Sequence, residues 1–133
     1  MSSQRAEFRV TTKAALYTPD RTKVLVTIYV DDGVRFITGL PGGHMDAGET
    51  PDWAMQRELR EELGLDGVEL VQSRFWMHQN GKLVLGFTGV IDESTNFTLQ
   101  EEELIEARWV LVDDIVSGVF DLGSYGDFVI DSR

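Results

Sequence analysis

Residues 50–64, TPDWAMQRELREELG, favour one local structure, and that structure constrains what the rest of the chain can do. Thr50 is suited to an N-cap. Pro51 fits the first helical position, where a missing N–H costs nothing, and Asp52 suits the positive end of the helix dipole. Gly64 follows the last periodic residue and can take the left-handed conformation that closes a helix. A helix is therefore expected over residues 51–63.

At about 100° per residue, Met55, Leu59 and Leu63 form an apolar stripe, with Trp53 further round the cylinder. Glu58, Glu61 and Glu62 recur at i, i+3 and i+4, a spacing at which like charges repel by about 0.2–0.5 kcal/mol per exposed i,i+4 pair. Glu61 faces solvent four residues after Arg57, so a solvated ion pair accounts for it. Glu58 and Glu62 instead border the stripe, Glu62 within roughly 20° of Met55 on the wheel. Neighbouring carboxylates at a partly buried edge are costly unless they are protonated or bridged by a cation. Mg²⁺ takes oxygen ligands, often one or two carboxylates with water and phosphate oxygens filling the remaining positions. A metal site explains this edge better than a solvated face does.

Strand signals flank the helix. Residues 8–18 and 23–30 are rich in apolar and β-branched side chains, and 34–40 continues after Asp31-Asp32-Gly33 as the second arm of a hairpin. Residues 41–48 read as a Gly-rich loop leading into the helix. Residues 68–78 and 82–91 form a second hairpin around Asn80-Gly81, 92–102 a polar loop, and 107–112 a further strand containing Trp109. The tail, 113–133, offers only a short helix near 113–119. Strands around one obligate helix, with hairpins, point to a mixed-sheet α/β or α+β domain, and 133 residues fit one such domain, 1–133.

Charge narrows the partners. A net charge of −11 disfavours sequence-independent binding to nucleic acid or anionic membranes. It also repels an anionic substrate unless a metal or local arginines offset it. No cysteine is present, which excludes disulfides and thiolate zinc sites. The start, MSSQRAEFRV, lacks the apolar run of a signal peptide, and no stretch is long enough to span a bilayer, so a cytoplasmic protein is expected.

Gly43, Glu49, Arg57, Glu58, Leu59, Glu61, Glu62, Gly64 and Leu65 fall in the spacing of the Nudix box, and every fixed position matches. The chain thus resembles a Nudix hydrolase. The resemblance implies an α/β/α sandwich with a mixed β-sheet. It further implies hydrolysis of the pyrophosphate linkage in a nucleoside diphosphate joined to another moiety, such as a dinucleotide, ADP-ribose or a nucleotide sugar. An (oxidised) nucleoside triphosphate pyrophosphohydrolase and a non-catalytic nucleotide-binding module are the alternatives. By the same resemblance Glu58 and Glu62 bind Mg²⁺ or Mn²⁺, and Glu61 is a further ligand or helps activate water. Gly42 contributes its carbonyl, and Arg57 with Glu49 clamps the loop to the helix. Glu58, Glu61 and Arg57 make up the catalytic set, Gly43, Glu49 and Gly64 support it, and the general base stays open between the glutamates.

Residues 103–109, ELIEARW, resemble the segment of NADH-pyrophosphatase-type members that adds a metal-binding glutamate from outside the box, here Glu103. Those enzymes also carry a Ser-Gln-Pro-Trp-Pro-Phe-Pro signature. Ser73-Arg74-Phe75-Trp76-Met77-His78 has none of the signature's prolines, so NAD(H) specificity does not follow. Phe36, His44 and Trp76 are candidates to contact a nucleotide-type substrate, while His78 reads as a strand-end residue. A homodimer stays open.

Overall fold

The alternation of apolar side chains in the central strands leaves both faces of a sheet to be covered. In the computed structural model both are. The structure describes residues 4–31, 35–78, 81–99 and 104–133, and among these the side chains of 31, 35, 36 and 105 lie outside the description. The elements are β1 (Arg9–Tyr17), β2 (Lys23–Asp31), β3 (Arg35–Gly39), β4 (Gly42–His44), α1 (Pro51–Leu63), β5 (Val71–Met77), β6 (Lys82–Val90), β7 (Leu104–Leu111), α2 (Val112–Val116) and α3 (Ser124–Ser132). The strands form one mixed sheet of order β3-β2-β1-β6-β5, with β4 added to β1 and β7 added to β2. β1 and β6 are parallel, and the other pairings are antiparallel.

Side chains alternate between two cores, as the period of two in a strand requires. Ala14, Leu16, Leu25 and Phe87 pack against Met55, Leu59 and Leu63 of α1. Ala15, Tyr17, Val24, Val26 and Val110 face the other way, onto Ile115 of α2 and Phe128 and Val129 of α3. The result is the α/β/α sandwich with a mixed sheet. Tyr17 fastens its second layer, donating from its buried hydroxyl to the Val129 carbonyl at 2.7 Å. Burial pushes the Tyr17 pKa up to about 12. Thr27 Oγ1, on β2, is buried without a hydrogen-bond partner among the described residues.

The strand expected at 68–78 is shorter, Val71–Met77, and three larger differences from the sequence reading bear on the site and its second layer. The expected loop 41–48 contains β4, because the first half of β1 pairs with Gly42–His44 and meets β2 only at Tyr17↔Val24. The strand expected at 107–112 begins at Leu104, where pairing with Tyr29 extends it past a bulge, and Val112 already opens α2. The tail also carries α3, which its short and glycine-interrupted pattern did not announce. The Asp32-Gly33 turn and Asn80 lie outside the described residues, although the hairpins they would close, β2–β3 and β5–β6, are both formed.

Candidate functional site

α1 is fixed at both ends. Thr50 Oγ1 accepts from the Trp53 N–H at 3.3 Å, and Gly64, at φ 69°, returns its N–H to Arg60 at 3.0 Å. With the register of the helix set, Met55, Leu59 and Leu63 are fully buried and Trp53 is 61% exposed. Glu58 and Glu62 then point into the protein, 7% and 2% exposed, while Glu61 stays at the surface.

β4 brings the loop to these carboxylates. Glu62 Oε2 accepts from the Gly42 N–H at 3.1 Å, and the Tyr29 hydroxyl of β2 lies 3.1 and 3.2 Å from the two Glu62 oxygens. Burial pushes the Glu62 pKa up to about 8; the Lys13 charge, the Gly42 N–H and Tyr29 pull it down, and the Glu58 charge pushes it up. Glu58 lies under Gly43, where an added Cβ would come within 2.7 Å of its carboxylate. Gly43 is therefore small because Glu58 needs the space.

Arg57 holds the two parts together. Its Nε and Nη2 donate to the two oxygens of Glu49 at 2.6 and 2.9 Å, and Nη2 also donates to the His44 carbonyl at 3.0 Å. Nη1 donates to Glu58 at 3.1 Å and to Glu61 at 3.0 Å. Glu49 in turn accepts from the Asp46 N–H at 2.7 Å, so one guanidinium orients the loop and two of the helix carboxylates. Hydrogen bonds from Arg57 and Asp46 hold the Glu49 carboxyl below its ordinary pKa.

Glu58, Glu62, Arg57, Gly42, Gly43 and His44 all line one cavity of about 650 Å³. Lys13, Tyr29, His78, Lys82 and Tyr125 line it as well, none of which sequence reasoning had assigned to a site. Only their chemistry could have flagged them, since they come from β1, β2, the end of β5, β6 and α3. Lys13 Nζ donates to the Leu40 and Gly42 carbonyls at 3.0 and 3.2 Å, placing a cation on the acidic side of the cavity. His44 is exposed, lies 3.2 Å from Thr11 Oγ1 through Nδ1, and has its pKa lowered by burial and by Lys82, Arg9 and Lys13. Trp76 does not line the cavity; it packs on Phe128 and donates to Ser124. Glu103 and the Phe36 side chain lie outside the described residues.

The donor set fits a hard divalent cation: two inward carboxylates, one of which resists ionisation without a countercharge, beside a backbone carbonyl. Among the described residues no cluster of three His, Cys, Asp or Glu side chains encloses a metal position, and Glu61 is turned onto Arg57. Water and phosphate oxygens would have to complete the shell.

A family model of the NUDIX domain matches residues 8–125. Over 78 residues the chain is 32% identical to the NAD-capped RNA hydrolase NudC of Mycobacterium tuberculosis, covering 57% of this chain and 25% of that protein. Over 54 residues it is 39% identical to the 8-oxo-dGTP diphosphatase of Haemophilus influenzae, covering 40% of each. The chain thus spans between a quarter and two-fifths of the length of these two relatives. In structure it is similar to the NUDIX domain of Shewanella oneidensis NrtR, solved with ADP ribose. That likeness has a TM-score of 0.78 at 19% identity, covers 98% of this chain and 88% of that one, and is one of fold.

Proposed function

The chain belongs to the Nudix domain family, and from that membership we propose that it hydrolyses the pyrophosphate linkage of a nucleoside diphosphate joined to another moiety. The observation that carries this reading is the pair of inward carboxylates, Glu58 and Glu62, opening on a cavity large enough for a nucleotide. Residues 1–133 act as one unit in this reading, in the cytoplasm. Among the described residues no helix is long and apolar enough to cross a membrane.

Glu58, Glu62 and the Gly42 carbonyl would hold Mg²⁺ or Mn²⁺, and Glu61 and Glu103 are the further ligands that this reading expects. A bound divalent cation offsets the charge of the phosphates and lowers the pKa of water. The chain's own groups do the rest. Tyr29 and the Gly42 N–H keep Glu62 aimed into the cavity, and Arg57 holds Glu58 at the cavity wall while drawing Glu61 onto its own guanidinium. Either of the latter two glutamates can accept the proton of the attacking water. Lys13 adds a positive charge beside the Gly42 carbonyl and, with Arg57 and Lys82, offsets the acids that an anionic substrate meets in the cavity.

A second reading, removal of pyrophosphate from an oxidised deoxynucleoside triphosphate, is favoured by the likeness to the Haemophilus influenzae diphosphatase. Product release from a panel of ADP-ribose, NADH, nucleotide sugars and 8-oxo-dGTP, with Mg²⁺ and with EDTA, decides between them. The expected result is metal-dependent cleavage with the highest kcat/KM on a diphosphate-linked substrate. A higher kcat/KM on the oxidised triphosphate favours the second reading, and no cleavage of any member overturns both in favour of a binding module.

A further inference from the structure

The carboxylates occupy only part of the cavity wall. Elsewhere its lining includes aromatic rings, and two of them, those of His78 and Tyr125, are stacked on each other. The rings lie nearly parallel, their planes 11° apart and their centroids 5.1 Å apart. We propose that this stacked pair is the shelf on which the nucleobase, or another planar ring, of the substrate rests, and that it sets which nucleotide the cavity selects. The proposal rests on the reading of the cavity as a nucleotide site.

The pair is held from behind. Ser124 Oγ lies 2.8 Å from His78 Nδ1 and accepts from Trp76 Nε1 at 3.2 Å, joining the end of β5 to the start of α3. Trp76 presents its edge to Tyr125, with centroids 6.1 Å apart and planes at 72°, and itself packs on the buried Phe128 at 4.9 Å. Gly86 leaves room for this, since a Cβ there would come within 2.7 Å of Phe128 and 2.9 Å of Trp76. Trp76 and Phe128 are thus the core support, whereas His78 and Tyr125 are the members that reach the cavity. Rings fixed in advance lose little conformational entropy on binding, which favours a stacking role. Burial and the charges of Lys82 and Lys13 depress the His78 pKa, which favours the neutral imidazole.

The shelf is also in the right place. Lys13 Nζ lies over the Tyr125 ring at 5.9 Å from its centroid and over the Tyr29 ring at 5.5 Å, and is 3.2 Å from the Gly42 carbonyl, so its ammonium links the aromatic pair to the loop beside the carboxylates. A base seated on the rings leaves its phosphates beside Lys13 and the α1 glutamates. Ile37, 45% exposed, adds an apolar surface to the same lining.

The test is a cycle that removes the base from the ligand and the ring from the protein. Titration calorimetry measures Kd for AMP, GMP, CMP, UMP and ribose 5-phosphate. Wild type should bind its preferred mononucleotide about ten-fold or more tighter than ribose 5-phosphate, the scale of one base stacked on an aromatic side chain. Tyr125→Leu should remove most of that difference, and Tyr125→Phe should keep it. His78→Leu, near the strand end and less exposed to folding failure, should shrink it as well; circular dichroism and the thermal midpoint confirm that each variant is folded. Equal Kd for nucleotide and ribose 5-phosphate in wild type overturns the shelf, as does an unchanged difference in folded Tyr125→Leu and His78→Leu. Failure of the hydrolytic reading looks different: base-dependent binding that Tyr125→Leu removes, without turnover of any diphosphate, leaves the shelf standing.

Discussion

The Gly42 N–H donates to Glu62 Oε2 at 3.1 Å, joining the first residue of β4 to a fully buried carboxylate of α1. Burial raises the folded-state pKa of that carboxylate from 4.5 to about 8. Between those two values the folded chain binds a proton that the unfolded chain does not, so stability falls as pH rises through this window. Glu62→Gln has no proton to lose. In EDTA its thermal midpoint should match wild type near pH 4.5 and exceed it by a growing margin up to about pH 8.5, while turnover in Mg²⁺ drops by orders of magnitude. Near-normal hydrolysis by the purified variant would remove Glu62 from the site.

Metal should act with the opposite pH dependence. A cation that binds only the folded state raises the thermal midpoint by mass action. Because it competes with the proton on Glu62, its affinity should climb from pH 6 to about 8 and then level off. Calorimetric titration of Mn²⁺ at several pH values checks this, and a flat profile would place the ion elsewhere.

Arg57 presents a fork to Glu49 and a further nitrogen to Glu58 and Glu61, a pattern that an ammonium cannot reproduce. Arg57→Lys should therefore cost about 10–100-fold in metal affinity or kcat, the usual range for groups that orient ligands, and leave the fold intact. Calorimetric Kd for Mn²⁺ and kcat on the best substrate are the measurements. Wild-type values for both would show that the clamp is ornamental.

Gly42 and Gly43 are adjacent but small for different reasons. Gly42 sits at φ 139°, and a Cβ there would come within 1.9 Å of the Thr12 carbonyl, so Gly42→Ala should cost about 3 kcal/mol or more. The nearest atoms to a Cβ on Gly43 belong to the end of the Glu58 side chain rather than to backbone. Gly43→Ala should keep most of its stability and lose metal binding instead. Urea denaturation alongside Mn²⁺ titration separates the two, and equal stability losses would refute the distinction.

Thr27→Val tests the core away from the site. The hydroxyl is buried without a partner among the described residues, and an isosteric methyl removes that burden. A gain of about 1 kcal/mol in urea denaturation is expected. A loss would mean that the hydroxyl is satisfied in solution.

What the sequence determined is local. Thr50, Pro51 and Gly64 punctuate α1 through contacts within a turn or so of chain, so its limits follow from spacing alone. The same spacing turns Glu58 and Glu62 inward and leaves Glu61 outside, and the alternation in β1 and β2 requires two covered faces. What only the tertiary structure decided is everything that needs a distant partner. Gly42–His44 is a strand because β1 splays from β2 and offers Thr11, Thr12 and Lys13 for pairing. α3 carries a glycine, Gly126, and weak local signals; its place is set by the bond from Tyr17 and by Trp76 packing on Phe128. Lys13, Tyr29, His78 and Tyr125 meet at one cavity from four separate elements, a convergence that no periodicity encodes. The Glu62 pKa likewise follows from desolvation, which exists only once sheet and helix have closed over the carboxylate.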